Sequence, residues 1–319
     1  MRITNHRIHS LRRSAAVACL FVCALGAAAD VPGRHSQAVQ GPYLGQKPPG
    51  TSPQVFAPGI VSTDAHEFSV SFTPDGKEFY FTRRETPQSS TLIMVSKYVD
   101  GVWTLPTPAP FNTPPGGRTD GISFEPMVTP DGKRLYFSSD RPFPGQPGLE
   151  GPPMLNIWYV EREGDRWSEP KFPGLPFNPM KTMFISMTTA GTIYTTDISA
   201  GMARNRIVIS RLKDGAYQQL EDPGALINAG PINNYPFIAP DESDLIFNRR
   251  TAPAGQASLL ISFRSPDGKW GEPRPIDLGL LNAGQGVISP DGKYLFFTAG
   301  ERGKGDIYWV EASLLNKMK

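Results

Sequence analysis

Apolar and polar residues alternate in short bursts along most of this chain. The stretch Ser69–Phe72, "SVSF", is followed by Pro-Asp-Gly-Lys and then by Glu78–Phe81, "EFYF". Alternation with a period of two predicts strands with one buried face, and the four residues between them predict a tight turn. Pro presets φ, Asp bonds nearby backbone N–H groups, and Gly accepts positive φ. The same unit recurs as "EPMVTPDGKRLYF" (Glu125–Phe137), "YPFIAPDESDLIF" (Tyr235–Phe247) and "QGVISPDGKYLFF" (Gln285–Phe297). A further copy, "FISMTTAGTIYTTD" (Phe184–Asp197), has lost the Pro-Asp step. Asp75, Asp131, Asp241 and Asp291 therefore read as turn residues rather than catalytic acids. Glu242 stands where the other copies have Gly, which predicts a looser or different turn there.

A second hairpin follows each first one. Third strands are expected at "TLIMVSKY", "NIWYVERE", "RIVISRLK", "SLLISFRS" and "DIYWVEAS", and fourth strands opening on Trp103, Trp167, Tyr217 and Trp270. Four antiparallel strands at a spacing of about 50 residues predict the blades of a β-propeller. The fifth unit ends after "DIYWVEAS", whereas Ser52–Ser62, "SPQVFAPGIVS", resembles a fourth strand. An N-terminal strand completing the last blade would remove its open edge. The expected fold is all-β: one five-bladed β-propeller spanning 50–319, with blades at about 63–112, 119–178, 180–228, 231–282 and 283–313 plus strand 52–62.

Composition agrees, since 33 Pro and 32 Gly in 319 residues suit many short elements joined by turns. The start of the chain differs. Arg2, Arg7, Arg12 and Arg13 precede the apolar run 15–29, which ends in Ala27-Ala28-Ala29. That run falls short of the roughly 20 residues a membrane span needs. The pattern predicts a signal peptide over 1–29, an uncleaved anchor being the alternative, followed by a flexible leader over 30–49. Cleavage would take the formal charge from +2 to −2 and remove both cysteines, Cys19 and Cys23. No nucleic-acid partner is expected of such a chain, nor any cysteine-based site. It is expected in the periplasm or outside the cell, as a monomer without a membrane span.

The pattern "SPDGK-x-L-Y-F" with a following "D-I-Y-W" resembles the WD40-like propeller repeat, or PD40 repeat, found in the propeller domain of the periplasmic protein TolB. The residues that carry it are Thr73–Phe81, Thr129–Arg141, Ala239–Phe247, Ser289–Phe297 and Asp306–Val310. The resemblance implies the fold and leaves function open, because propellers host binding modules and enzymes alike. TolB propellers have six blades after a separate domain, so a TolB role does not carry over.

Candidate ligand contacts lie where the chain enters the strands that line the channel. They are His66, Glu67, Ser123, Glu125, Lys181, Asn233, Asn234, Tyr235 and Gln285. This polar ring is read as either a ligand site or a solvated funnel. Arginines end the second strands, Arg83-Arg84, Arg141 and Arg249-Arg250. They read as an anion clamp at Arg84, Arg141 and Arg250, or as inter-blade partners for acids such as Glu85, Asp140 or Asp197. The recurring tryptophans read as packing between blades. The Pro/Gly loop 142–154 reads as a lid, a partner contact or a tolerated insertion. His35 is the one further histidine beyond the signal, so a multi-histidine metal site is excluded. A mixed site of His66 with Glu67 or Glu125 remains an alternative. No cofactor is expected. The function expected is binding or scaffolding at the cell envelope, with an envelope protein or a glycan as partner. The alternative is an oligosaccharide hydrolase or lyase using His66, Glu67 and Glu125, which requires both carboxyls to face one cavity.

Overall fold

The computed structural model describes residues 39–112, 121–141, 155–178, 182–251 and 255–319. The signal segment, His35, Lys181 and the 142–154 loop lie outside them. Five antiparallel sheets form a five-bladed β-propeller. The inner strands are His66–Phe72, Ser123–Val128, Thr182–Met187, Ile232–Ile238 and Gly284–Ile288. Each pairs with a second strand across the expected turn, and the second pairs with a third.

The turns work as the residues predict. Asp75 Oδ1 accepts the Thr73 hydroxyl at 2.6 Å and the Lys77 N–H at 3.1 Å, and Asp131 and Asp291 repeat the arrangement. The Glu242 turn is not looser. Its backbone N–H bonds Ala239 O at 2.8 Å, as Gly76 bonds Thr73 O, with φ at +63°. The side chain explains the substitution, because Glu242 accepts the Tyr194 hydroxyl of blade three at 2.6 Å and pairs with Arg264.

The fourth strands are shorter than expected and begin later. Trp103, Trp167 and Tyr217 sit in two-residue ribbons at the far end of the third-strand hairpin. The outer edge is Thr107–Pro108, a bridge at Lys171, a bridge at Glu221, and Arg274–Pro275. Prolines such as Pro106, Pro170 and Pro273 remove the N–H donors a longer strand would need. An Asn closes three of these edges instead. Asn112, Asn178 and Asn228 each receive the N–H and donate to the C=O of one third-strand residue, Ile93, Ile157 and Ile207 respectively.

The tryptophans do pack between blades. Trp167 of blade two meets Tyr80 of blade one edge-on and donates its indole N–H to the Tyr80 hydroxyl at 2.7 Å. Trp270 of blade four repeats the edge contact on Tyr194 of blade three.

An N-terminal strand closes the last blade: Gln54–Val55 pairs with the third strand of blade five, Gln54 opposite Trp309. Phe56 is fully buried just after it, among Phe79, Phe296 and Trp309. The stretch expected as a leader contributes from Val39 onward. Val39–Gln40 pairs with Val102–Trp103, and the Tyr43 hydroxyl donates to Asp291 Oδ1 at 2.8 Å. Among the described residues no helix is long and apolar enough to cross a membrane.

Candidate functional site

All five inner strands carry the same irregularity. Their register with the second strand shifts midway, leaving one bulged residue in each: Ser69, Glu125, Phe184, Tyr235 and Gln285. Every one adopts left-handed backbone, with φ between +50° and +61°. For an L-residue with a side chain this conformation costs about 1 kcal/mol or more, and bulges re-aim side chains. Here they turn five side chains into the channel. The strained N–H groups are held by the preceding blade. Glu125 N–H donates to Thr82 Oγ1 at 3.0 Å, Tyr235 N–H to Thr196 Oγ1 at 3.3 Å and Gln285 N–H to Asn248 Oδ1 at 2.8 Å. Gly284 permits the last contact, since a Cβ there would collide with the Asn248 amide.

Four of the bulge residues, Glu125, Phe184, Tyr235 and Gln285, form a waist between two cavities, and Ser69 lines one of them. Phe184 and Tyr235, from the neighbouring blades three and four, meet there with ring centroids 3.9 Å apart. On the turn side lies a cavity of about 470 Å³, walled mainly by apolar side chains and by Pro74, Pro130, Pro240 and Pro290. On the other side opens a mouth of about 600 Å³.

The mouth has two unlike walls. Blades four, five and one supply Asn234, Arg250, Gln285, Thr298, His66 and Arg84, with Arg302 at the rim. Blades two and three supply Phe124, Met183, Phe184 and Met202, with Phe68 of blade one continuing this apolar side. Among the described residues, Arg84 and Arg250 have no ion-pair partner. Asn234 is buried, and its Oδ1 lacks any hydrogen-bond donor. The His66 ring stacks on Phe68 and its Nδ1 lies 3.0 Å from Gly305 O. Burial, with Arg84 nearby, lowers the His66 pKa and favours the neutral ring.

At the floor, burial pushes the Glu125 carboxyl well above the ordinary glutamate value, opposed by the Ser138 hydroxyl at 3.5 Å. Burial likewise raises the Tyr235 phenol, with Glu125 adding to the shift and Arg250 opposing it.

Of the residues singled out in the sequence, the structure thus brings His66, Arg84, Glu125, Asn234, Tyr235, Arg250 and Gln285 together. It takes four others away. Glu67 is fully buried and off the cavity, paired with Arg83 Nε at 2.9 Å and accepting the Thr63 hydroxyl at 2.6 Å. Asn233 occupies the equivalent place in blade four, accepting from Arg249 Nε at 2.8 Å. Strand neighbours point to opposite faces, so His66 and Asn234 enter the mouth while Glu67 and Asn233 cannot. Ser123 is buried against Ser139. Arg141 is buried over the Phe137 ring, donates to Phe111 O and is pushed down to about 10 by burial. Of the arginines that end second strands, those that bridge blades thus reach backbone carbonyls, not the acids expected: Arg83 reaches Ile60 and Val61, and Arg249 reaches Leu226 and Ile227, whereas the arginine that meets an acid across blades is Arg162 of a third strand, on Glu78. Among the described residues no three His, Cys, Asp or Glu side chains are grouped to hold a metal.

No family model matches the chain, so the PD40 repeat remains a resemblance. No curated protein matches it either. Solved structures resemble it at low identity. TolB from Acinetobacter baumannii is 16% identical, with a TM-score of 0.46 over 79% of this chain and 53% of that one. This chain therefore spans about half the length of that TolB. A thermostable family-43 glycoside hydrolase is 12% identical, with a TM-score of 0.49 over 79% and 90% of the two chains. The GH62 α-L-arabinofuranosidase catalytic domain of Coprinopsis cinerea is 8% identical, with a TM-score of 0.47 over 82% and 97%. At these identities the likeness is one of fold alone.

Asn205, Asn282, Met183, Met202, Phe124, Phe184 and Arg302 line the mouth without having been singled out in the sequence. Only Phe184 had a readable signal, its place opening the degraded third repeat, equivalent to Glu125, Tyr235 and Gln285.

Proposed function

We propose that the protein is an exported, non-catalytic binding module of the cell envelope, and that its partner enters the polar mouth of the propeller. The basic, apolar and small-residue pattern of residues 1–29 supports export. One observation carries the binding reading. Arg84 and Arg250 line the same cavity with no ion-pair partner among the described residues. Arginines held over a half-buried cavity favour an anionic group as partner. The hydrolase alternative gains no such support, because Glu67 turns away from the cavity that Glu125 faces.

The test is a pull-down from envelope extract with the exported protein and with its Arg84→Gln/Arg250→Gln variant, read by mass spectrometry for proteins and glycans. A partner retained by the parent and lost by the variant is expected. Identical partners on both would place binding elsewhere on the propeller and overturn the reading.

A further inference from the structure

The two walls of the mouth, taken with the orphaned acceptor between them, narrow the class of ligand. Resting on the mouth reading above, we infer that the site takes the free carboxyl terminus of a polypeptide whose last side chain is bulky and apolar.

Three features have to be satisfied at once. Arg84 and Arg250 ask for an anion. A carboxylate accepts from guanidinium groups in planar, two-pronged geometry, which an ammonium could not offer. Asn234 Oδ1, in a residue only 7% exposed, asks for a donor, since a buried acceptor left without one costs about 1–3 kcal/mol. The amide N–H of a terminal residue lies a few bonds from its carboxylate and supplies that donor. The Phe124, Met183, Phe184 and Met202 wall asks for apolar surface. Methionines adapt to side chains of varied shape, so this wall selects bulk rather than one particular residue. The volume, about 600 Å³, suits a chain end and not a folded domain. Capture of a terminal carboxylate is an established mode of peptide recognition on other scaffolds.

An acidic sugar satisfies the arginines and Asn234 but the opposite wall only in part. It can lay a C–H face on Phe124 and Met183, but the hydroxyls around its edge leave it less apolar surface for that wall than a bulky apolar side chain offers. Glu125 fits either ligand as a donor at the floor, in the protonated form its burial favours.

The experiment uses the full exported protein and fluorescent pentapeptides of one sequence ending in Phe. One carries a free carboxyl group and the other a terminal amide. A third peptide ends in Ala, and an acidic oligosaccharide is added as competitor. Amidation is expected to weaken binding at least tenfold and the Ala ending at least fivefold. Arg84→Gln/Arg250→Gln should abolish the difference between acid and amide. Asn234→Leu should weaken both peptides, and melting curves check that each variant is folded. Equal binding of acid and amide overturns the carboxyl-terminus inference while leaving a peptide-binding mouth. Binding of the oligosaccharide alone, lost in the arginine variant, also overturns it and assigns the mouth to a glycan. If the arginine and Asn234 variants match the parent on every probe, the mouth reading falls with it.

Discussion

Arg249 donates from Nε to Asn233 Oδ1 over 2.8 Å, while Arg250, its immediate neighbour, lines the mouth with no ion-pair partner among the described residues. Blade one repeats the division with Arg83 on Glu67 and Arg84 in the mouth. The strand alternation assigns one arginine of each pair to holding the ring together and the other to the cavity.

The division predicts opposite outcomes for adjacent substitutions. Arg249→Ala removes three hydrogen bonds, two of them to the Leu226 and Ile227 carbonyls of blade three. It should cost about 1.5–3 kcal/mol, the scale for hydrogen bonds to a charged group. Arg250→Ala should stay within about 0.5 kcal/mol of the parent, as surface changes do. Urea unfolding of the two variants checks this. Equal losses would contradict the division.

The seam predicts a larger effect. Phe56 follows the closing strand and fills the core between blades five and one, with ring centroids 5.3 Å from Phe79 and 5.2 Å from Trp309. Phe56→Ala should cost about 3–5 kcal/mol, as deletion of a fully buried aromatic does. Phe172→Ala, in the outer part of blade two where the ring is only partly buried, should cost less. A loss at Phe56 no greater than at Phe172 would mean that the seam is not a main point of closure.

The blade count, the turns and the closing strand were legible because each is local or repeats. Pro-Asp-Gly-Lys specifies its own hydrogen bonds, and the likeness of Ser52–Ser62 to a fourth strand survives the distance to blade five. The outer strands were not, because Trp103 and Trp167 look like strand openings while the prolines beyond them decide where pairing resumes. The site was half legible. Alternation alone sends His66 and Glu67 to opposite faces, yet which of the two faces the channel, and which residues do so beyond the bulge after Phe68, follows only from the register. No residue type announces a bulge. Glu, Phe, Tyr, Gln and Ser all occupy it here, so the waist emerges only when the strands are paired.

The waist carries the last prediction, which concerns Glu125. Burial raises its carboxyl in the fold above its value in the unfolded chain. The folded state therefore binds the proton more tightly than the unfolded state does. The stability this supplies is complete below the unfolded value and is lost as pH rises through the raised folded value. Glu125→Gln keeps the shape and a neutral polar group, and it has no charge to bury. Parent and variant should melt together at about pH 4, and the variant should melt higher as the pH is raised toward about 9. In a domain of this size each kcal/mol corresponds to about 2–4 °C. Melting curves at four or five pH values measure the gap. A gap that is constant with pH, or a variant that melts lower at pH 9, would show that Glu125 is ionised in the fold without cost and would remove it as the donor at the floor of the mouth.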